Sequence, residues 1–548
     1  MKILKLDEIK HFFIIPIIIG IIGGFSAFLF RDFIKFFTSV YNDLNLFHSN
    51  LFYLISTPLI FLFSYYVIKN FPINPNNVSI DEITKKISLA MGHFSTLKGL
   101  IVLFLTSLSL GFGVPVGREG PIAKLGGVGT EIFIKLIKIP RVDVPIYLSA
   151  GVSSAIAATF NAPLAGIIFG IEIIIGKINS YILIPLIVST FTATLISREF
   201  IGNFAAFYVP HLNYSHSYLF LSPFEALFFG FLAIGFLKSV IHLKHLKEKS
   251  KRWDKTILIF GFIVGLLIVI RPEIRGVGYE FVEEIFQNKT TFFSALIIML
   301  FKYIGTILSI GSGLFGGILS PSIFIGAFGG YFFGSFFHFL GLDPRVFALI
   351  GTAAMLSGVT KSPLRSSVII IELTHSYQFI LPILITSAIT NYLISMMEPG
   401  SYFKRALLQR GIDIDDENLI NFFTVDNLKK YILNTKPLKE DDDLKTIKER
   451  FHFTCVPYLP VTNNENELIG IVSLRDIKKH KFINKDKIHA KDIMAKNPFA
   501  INPNSSKKDI FKALSVLNSN YIPYTDENNK YKGMIDLNQF LRDISLKA

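Results

Sequence analysis

The stretch Gly113-Val-Pro-Val-Gly-Arg-Glu-Gly-Pro-Ile-Ala-Lys-Leu-Gly-Gly127 lies between apolar runs, Leu100–Gly111 before it and Ile132–Pro140 then Tyr147–Phe160 after it. A Gly/Pro-rich break carrying Arg118 and Glu119 thus interrupts a region of membrane character. Lipid tolerates non-helical backbone only where protein buries it or where it lines a cavity. An ionisable side chain there costs about 2.5–3.5 kcal/mol on insertion scales, so it usually faces a pathway. Pro121 suits the first turn of a helix, where its missing N–H would be unpaired anyway. Free amides and the positive dipole end at such a helix start make an anion site. The local reading is a broken helix whose N-terminus receives an anion, with a carboxylate beside it. The blander reading is a tight turn between helices with an incidental charge.

The stretch has an echo at an offset of 200 residues. Gly113, Gly117, Pro121 and Gly126 recur as Gly313, Gly317, Pro321 and Gly326. Gly151, Pro163, Leu164 and Glu172 recur as Gly351, Pro363, Leu364 and Glu372. A duplicated membrane fold with broken helices at matching positions is a transporter signature, with the site at the repeat interface. The sequence leaves open whether the repeats are parallel or inverted.

Composition agrees. Of 548 residues 51% are hydrophobic and 18% charged, too apolar for a soluble protein of this length. Phe12–Phe30, Leu51–Ile68 and Ile257–Ile270 with its flanks approach or exceed a spanning length, whereas Ala162–Ile175 is too short to cross alone. Met1–His11 reads as a charged interfacial lead rather than a cleavable signal, and the lone Cys455 excludes an internal disulfide. The net charge of +14 raises nucleic acid as a partner, but the basic residues lie in loops and tail without interleaved aromatics. Lys2, Lys5, Lys10 and the Lys238–Lys255 loop instead predict cytoplasmic positions by the positive-inside rule.

Beyond about residue 410 charges become dense, as in Lys439-Glu-Asp-Asp-Asp-Leu-Lys-Thr-Ile-Lys-Glu-Arg450. Strand-like runs Cys455–Pro460, Leu468–Val472, Tyr521–Tyr524 and Tyr531–Ile535 alternate with helical pattern. Leu468-Ile-Gly-Ile-Val-Ser-Leu-Arg-Asp-Ile477 corresponds to Tyr531-Lys-Gly-Met-Ile-Asp-Leu-Asn-Gln-Phe540. This predicts a soluble α/β pair of small repeats after a membrane domain, with boundaries 1–410 and 411–548 and repeats near 430–482 and 490–548.

These motifs resemble the CLC family of chloride channels and proton-coupled chloride antiporters. Gly117-Arg-Glu-Gly-Pro121 matches the gating-glutamate motif, and Gly317-Ile-Leu-Ser-Pro321 resembles the second anion motif. Phe160-Asn-Ala-Pro-Leu-Ala-Gly166 and Ile371-Glu-Leu-Thr374 resemble further family helices. The tail is similar to a pair of CBS domains. The resemblance implies two inverted repeats of broken and re-entrant helices, and a homodimer in an inner membrane with both termini cytoplasmic. Each subunit would have its own path for chloride or another small monovalent anion. No cofactor is required; chloride is the expected ligand. Glu119 would be the gate. The N–H groups of Arg118, Glu119 and Gly120 would line an outer site, and those of Ile318 and Leu319 a central one. Tyr402 would donate its hydroxyl to the central anion.

Three departures qualify the resemblance. Val78 stands where the family's selectivity serine is expected and Ser79 is one residue away, so nitrate or fluoride stay open beside chloride. Ile173 stands where antiporters carry the inner proton glutamate. Glu172, one residue earlier, is turned about 100° away on a helix. This favours a passive channel; the alternative is a proton-coupled chloride, nitrate or fluoride antiporter with another proton route. Lys124 replaces the usual amide or histidine after the gate, either buried as a positive charge or snorkelling to the interface. In the tail, Ser473 and Asp476 are the candidate contacts for an adenine nucleotide's phosphate and ribose. The second copy has Asp536 and Gln539 there, and an acidic side chain repels phosphate.

An enzyme is disfavoured because the chain has no His/Cys metal spacing, nucleophile elbow or Walker lysine. A non-conducting nucleotide sensor is disfavoured by the intact Glu119 motif.

Overall fold

The computed structural model describes residues 9–45, 49–71, 96–137, 139, 143–171, 180–202, 207–250, 253–397, 425–452, 458–473, 476, 489–496, 498–505, 521–536 and 539. Contacts divide the chain into two units, most of 1–406 and most of 407–548.

In the first unit the leading half is α1 (Ile15–Leu44), α2 (Tyr53–Asn70), α3 (Thr96–Gly111), α4 (Glu119–Leu136), α5 (Val144–Phe160), α6 (Pro163–Phe169) and α7 (Ser180–Ile201). The second half is α8 (Ser217–Lys249), α9 (Trp253–Ile270), α10 (Tyr279–Phe286), α11 (Phe292–Gly311), α12 (Leu319–Ser335), α13 (Pro344–Thr360), α14 (Pro363–Thr374) and α15 (Ile380–Met397). Among the described residues seven helices are long and apolar enough to cross a membrane, while α3, α5 and α13 are apolar but shorter. The outward faces carry large apolar side chains, such as Leu59, Phe220 and Phe293, that water would not tolerate in such number.

The first span runs further than the sequence suggests. A π-helical turn, Lys10–Ile14, leads directly into α1, so Lys10 and His11 are not in a separate interfacial helix. His11 is buried: its Nδ1 lies 2.6 Å from the Tyr147 hydroxyl and its ring stacks on Tyr181 at 4.0 Å.

The two halves repeat each other's backbone conformation at several points. Gly113 and Gly313 both take positive φ, +80° and +92°, a region open to glycine at little cost, each two residues past the end of a helix. Arg118 and Ile318 cap α4 and α12 with near-identical dihedrals, φ −98°, ψ −9° and φ −99°, ψ −11°. Asn161 and Lys361 terminate α5 and α13 in the left-handed conformation, and Pro163 and Pro363 open α6 and α14.

Packing between mates fixes the relation that the sequence left open. A Cβ on Gly261 of α9 would meet Pro58 of α2, and one on Gly265 would meet Tyr53. As α9 advances, α2 recedes, so these counterpart helices run antiparallel. A two-fold axis relating antiparallel spanning helices lies across them, in the membrane plane. The repeats are therefore inverted.

The tail has its own repeat, at an offset of 63 residues. Its strands are β1 (Ile432–Leu433), β2 (Leu438–Lys439), β3 (Tyr458–Thr462), β4 (Leu468–Ser473), β5 (Ala495–Lys496), β6 (Tyr521–Thr525) and β7 (Tyr531–Asp536). They form sheets of order β2-β3-β4-β5 and β1-β7-β6. β3–β4 and β6–β7 are antiparallel hairpins in the same register, Tyr458 opposite Ser473 and Tyr521 opposite Asp536. Of the sequence run Cys455–Pro460, the part from Tyr458 lies in β3, and 455–457 lie outside the described residues. The hairpin turns clasp each other: Leu468 N donates to Asn529 O at 3.0 Å, and Tyr531 N to Asn466 O at 2.9 Å. Asn466 and Asn529 sit at positive φ, which asparagine tolerates better than most residues.

Candidate functional site

The inverted axis passes through the gating-type motif and its echo. Gly117 N donates to Gly317 O at 2.8 Å, and Gly317 N to Gly117 O at 2.7 Å, forming an isolated antiparallel bridge. α4 and α12 both begin just after this bridge. Their first-turn N–H groups have no intrahelical acceptor, and each helix start carries the positive end of a macrodipole. Two such starts are thus brought to one place at the repeat interface.

Glu119, the first residue of α4, is fully buried there. Its Oε1 accepts a hydrogen bond from the Ser320 hydroxyl in the first turn of α12, while Oε2 has no hydrogen-bond partner. Main-chain N–H groups of Arg118, Glu119 and Ser320 face the carboxylate. Oε2 lies so close to the α-carbons of Gly117 and Gly317 that a Cβ on either would strike it. A carboxylate from one repeat therefore sits where main-chain amides of both repeats could receive an anion.

The surrounding residues fix this arrangement. The Ser320 hydroxyl is 3.1 Å from the Tyr279 hydroxyl, at the start of α10. The Arg118 guanidinium lies over the Tyr279 ring at 5.2 Å and the Phe160 ring at 5.9 Å. Phe207 meets Tyr279 edge-on at 4.9 Å. The loop before α10 is tied down by buried Lys302 of α11, whose Nζ donates to Ile274 O at 2.8 Å, Gly276 O at 2.6 Å and Val277 O at 3.3 Å. Gly276 N donates to Gly113 O at 2.9 Å, joining the second repeat's loop to the first repeat's turn.

Of the residues singled out from sequence, Arg118, Glu119 and Gly120 stand at the start of α4, and Ile318 and Leu319 at the start of α12. Val78, Ser79, Glu172, Ile173 and Tyr402 lie outside the described residues. Lys124 is 2% exposed, so it is buried rather than snorkelling. Glu372 caps α6: Oε1 accepts from Leu164 N at 2.9 Å and Oε2 from Ala165 N at 2.7 Å. In the tail, Ser473 N and Oγ donate to Asp476 Oδ2 at 3.0 and 2.6 Å, and Asp476 N donates back to Ser473 Oγ at 3.3 Å. In the second copy Gln539 N donates to Asp536 Oδ1 at 3.1 Å. Both pairs thus cap the chain leaving a hairpin.

Ser320, Tyr279 and Lys302 were missed from sequence. Ser320 gives no signal in sequence, because its partner Glu119 lies 201 residues away. Tyr279 had a signal: it lies 279 − 79 = 200 residues after Ser79, the repeat's own offset.

Inverted repeats with opposed helix starts around a buried carboxylate define a membrane protein of the anion-transport class. Residues 60–395 match the family model described as "Voltage gated chloride channel", and residues 435–482 and 490–546 each match that of the CBS domain. The chain belongs to this chloride channel and transporter family, CLC, and ends in two CBS domains. It is 31% identical over 293 residues to the H(+)/Cl(-) exchange transporter ClcA of Vibrio cholerae, spanning 51% of this chain and 62% of that protein. Its fold is similar to the crystal structure of a eukaryotic CLC transporter, with TM-score 0.76, 17% identity, and 97% and 98% of the two chains covered. It is also similar to a CLC-type fluoride/proton antiporter, with TM-score 0.61, 19% identity, and 71% and 96% covered.

Proposed function

We propose that each subunit of a homodimer passes chloride, or a similar small monovalent anion, along a path that the Glu119 carboxylate closes. The observation that carries this is the buried carboxylate at the meeting of α4 and α12, accepting a hydrogen bond from Ser320. An ionised carboxylate there imitates the anion. Protonation removes the imitation, and the side chain leaves the place to chloride. Neutral donors, weak and multiple, hold an anion firmly enough to enter and loosely enough to leave. On this reading the protein lies in the inner membrane with both termini cytoplasmic, from the basic N-terminal lead and the basic residues from Lys238 to Lys255, of which the described ones lie in the last turns of α8 and the start of α9 rather than in a loop. No chemical turnover is involved.

Passive conduction is the first reading, carried by Ile173, which has no proton to pass. Proton-coupled exchange is the second, carried by the likeness to a named H(+)/Cl(-) exchange transporter. Reversal potentials of reconstituted protein in bilayers separate them. A conductance that follows the chloride gradient alone, whatever the pH gradient, supports the channel. A reversal potential displaced by the proton gradient supports exchange. Absence of anion flux contradicts both. The tail is proposed to receive an adenine nucleotide beside Ser473 and Asp476, which equilibrium dialysis with labelled nucleotide would test.

A further inference from the structure

We propose that the Ser320 hydroxyl, oriented by Tyr279, is a side-chain donor to the transported anion at the place the Glu119 carboxylate vacates, and that it sets the preference among anions. The inference rests on the proposed anion path and names what selects within it.

The direction of the hydrogen bonds follows from proton counting. A serine hydroxyl has one proton. Ser320 gives that proton to Glu119 Oε1, which as a carboxylate oxygen only accepts. The contact between Tyr279 and Ser320, 3.1 Å, then has Tyr279 as donor. The order is Tyr279 O–H to Ser320 O–H to Glu119. Each bond in such a chain polarises the next, so Tyr279 makes Ser320 a stronger donor.

The hydroxyl is fully buried. When the carboxylate leaves, Ser320 loses its acceptor in a place where an unmade hydrogen bond is costly. An anion arriving at the position of Oε1 restores the bond. A hydroxyl aimed at one point rewards a compact anion of high charge density, such as chloride or fluoride, over the broad, weakly accepting nitrate. Main-chain amides at the two helix starts are present for any anion and discriminate less.

A second observation points the same way. Val78, at the position the family's pattern gives to serine, has no hydroxyl. Tyr279 is the repeat counterpart of neighbouring Ser79, 200 residues on. Tyr279 thus brings a hydroxyl of the second repeat to Ser320, the serine of α12 that it orients.

The test measures the ratio of chloride to nitrate efflux from vesicles in a Glu119→Ala background, where the gate cannot confuse the reading. Adding Ser320→Ala should lower the ratio about five- to tenfold. Adding Tyr279→Phe should lower it less, about two- to threefold. Ser320→Thr, which keeps a hydroxyl, should hold the ratio near that of the background. An unchanged ratio in folded Ser320→Ala protein overturns the proposal while leaving the anion path intact. If Ser320→Ala does not give monodisperse protein, Tyr279→Phe decides, and an unchanged ratio there overturns it. Loss of all anion flux from wild-type and Glu119→Ala vesicles alike would instead overturn the transport reading on which the proposal rests.

Discussion

Gly117 and Gly317 hydrogen-bond to each other through both of their main-chain N–H and C=O groups, at 2.8 and 2.7 Å, across the axis that relates the two repeats. Each residue is the other's counterpart, and the Glu119 carboxylate lies against both. Gly317→Ala should therefore act on the gate: its Cβ would strike only the carboxylate end of Glu119, whereas a Cβ on Gly117 would also strike the Gly317 carbonyl and break the bridge. Gly317→Ala should displace Oε2 and pass anions faster than wild type at neutral pH, by several-fold, while Gly117→Ala should chiefly lose stability. Stopped-flow chloride efflux and gel filtration after heating check this. A Gly317→Ala protein with the wild-type efflux rate would contradict it.

Lys302 should be structural. Its ammonium satisfies three carbonyls of the loop before α10 and lies 4.5 Å over the Phe324 ring. Lys302→Met would leave those carbonyls without the donor, at about 2–4 kcal/mol. The expected result is a marked loss of thermal stability in detergent, read by gel filtration after heating. Full stability with altered selectivity would instead place Lys302 in the anion path.

Glu372 should also be structural. Glu372→Ala removes both acceptors from the first turn of α6 and should cost about 1–2 kcal/mol, in line with other helix caps. Stability should fall, while the chloride-to-nitrate ratio stays that of wild type. A shifted ratio would give the residue a transport role.

The tail should be acid-sensitive on its own account. The Lys491 ammonium holds the Asp441 carboxyl below the ordinary range, the hydrogen bonds from Thr446 do so for Asp443, and the Lys530 N–H for Asp526. A carboxyl depressed in the folded state adds stability that is complete above its unfolded pKa, about 3.9, and is lost as pH falls through the folded value. Limited proteolysis of the whole protein with an acid-active protease should therefore show tail cleavage rising below about pH 4. Cleavage that stays flat as pH falls through about 4 would contradict this.

Much of this was legible in the residues. Two prolines and a run of glycines at one fixed spacing announced the duplication, because each stands where backbone geometry admits little else. The place of Glu119 was legible too: a carboxylate in a glycine-rich break between apolar runs was expected at a helix start inside the membrane domain, and it lies there, buried. The hand of the repeats was not legible. It depends on whether α9 runs with or against α2, which the contacts of Gly261 and Gly265 decide. Ser320 was not legible either. A serine before a helix proline is commonplace, and its value comes from the fold bringing Glu119 across from the other repeat. Lys302 reads in sequence as a charge in an apolar helix; its three carbonyl partners lie 25 to 28 residues back and become neighbours only on folding.

The central claim is that the Glu119 carboxylate itself closes the anion path. The most direct test is the initial rate of chloride efflux from vesicles containing wild-type or Glu119→Gln protein, measured at pH 4.5 and at pH 7.5. Protonation should open the wild-type protein, so its rate should be several-fold higher at pH 4.5. Glu119→Gln carries no titrating group at the gate and should give the same rate at both values, near or above the wild-type rate at pH 4.5. A Glu119→Gln protein that transports chloride with the wild-type dependence on pH would contradict the account.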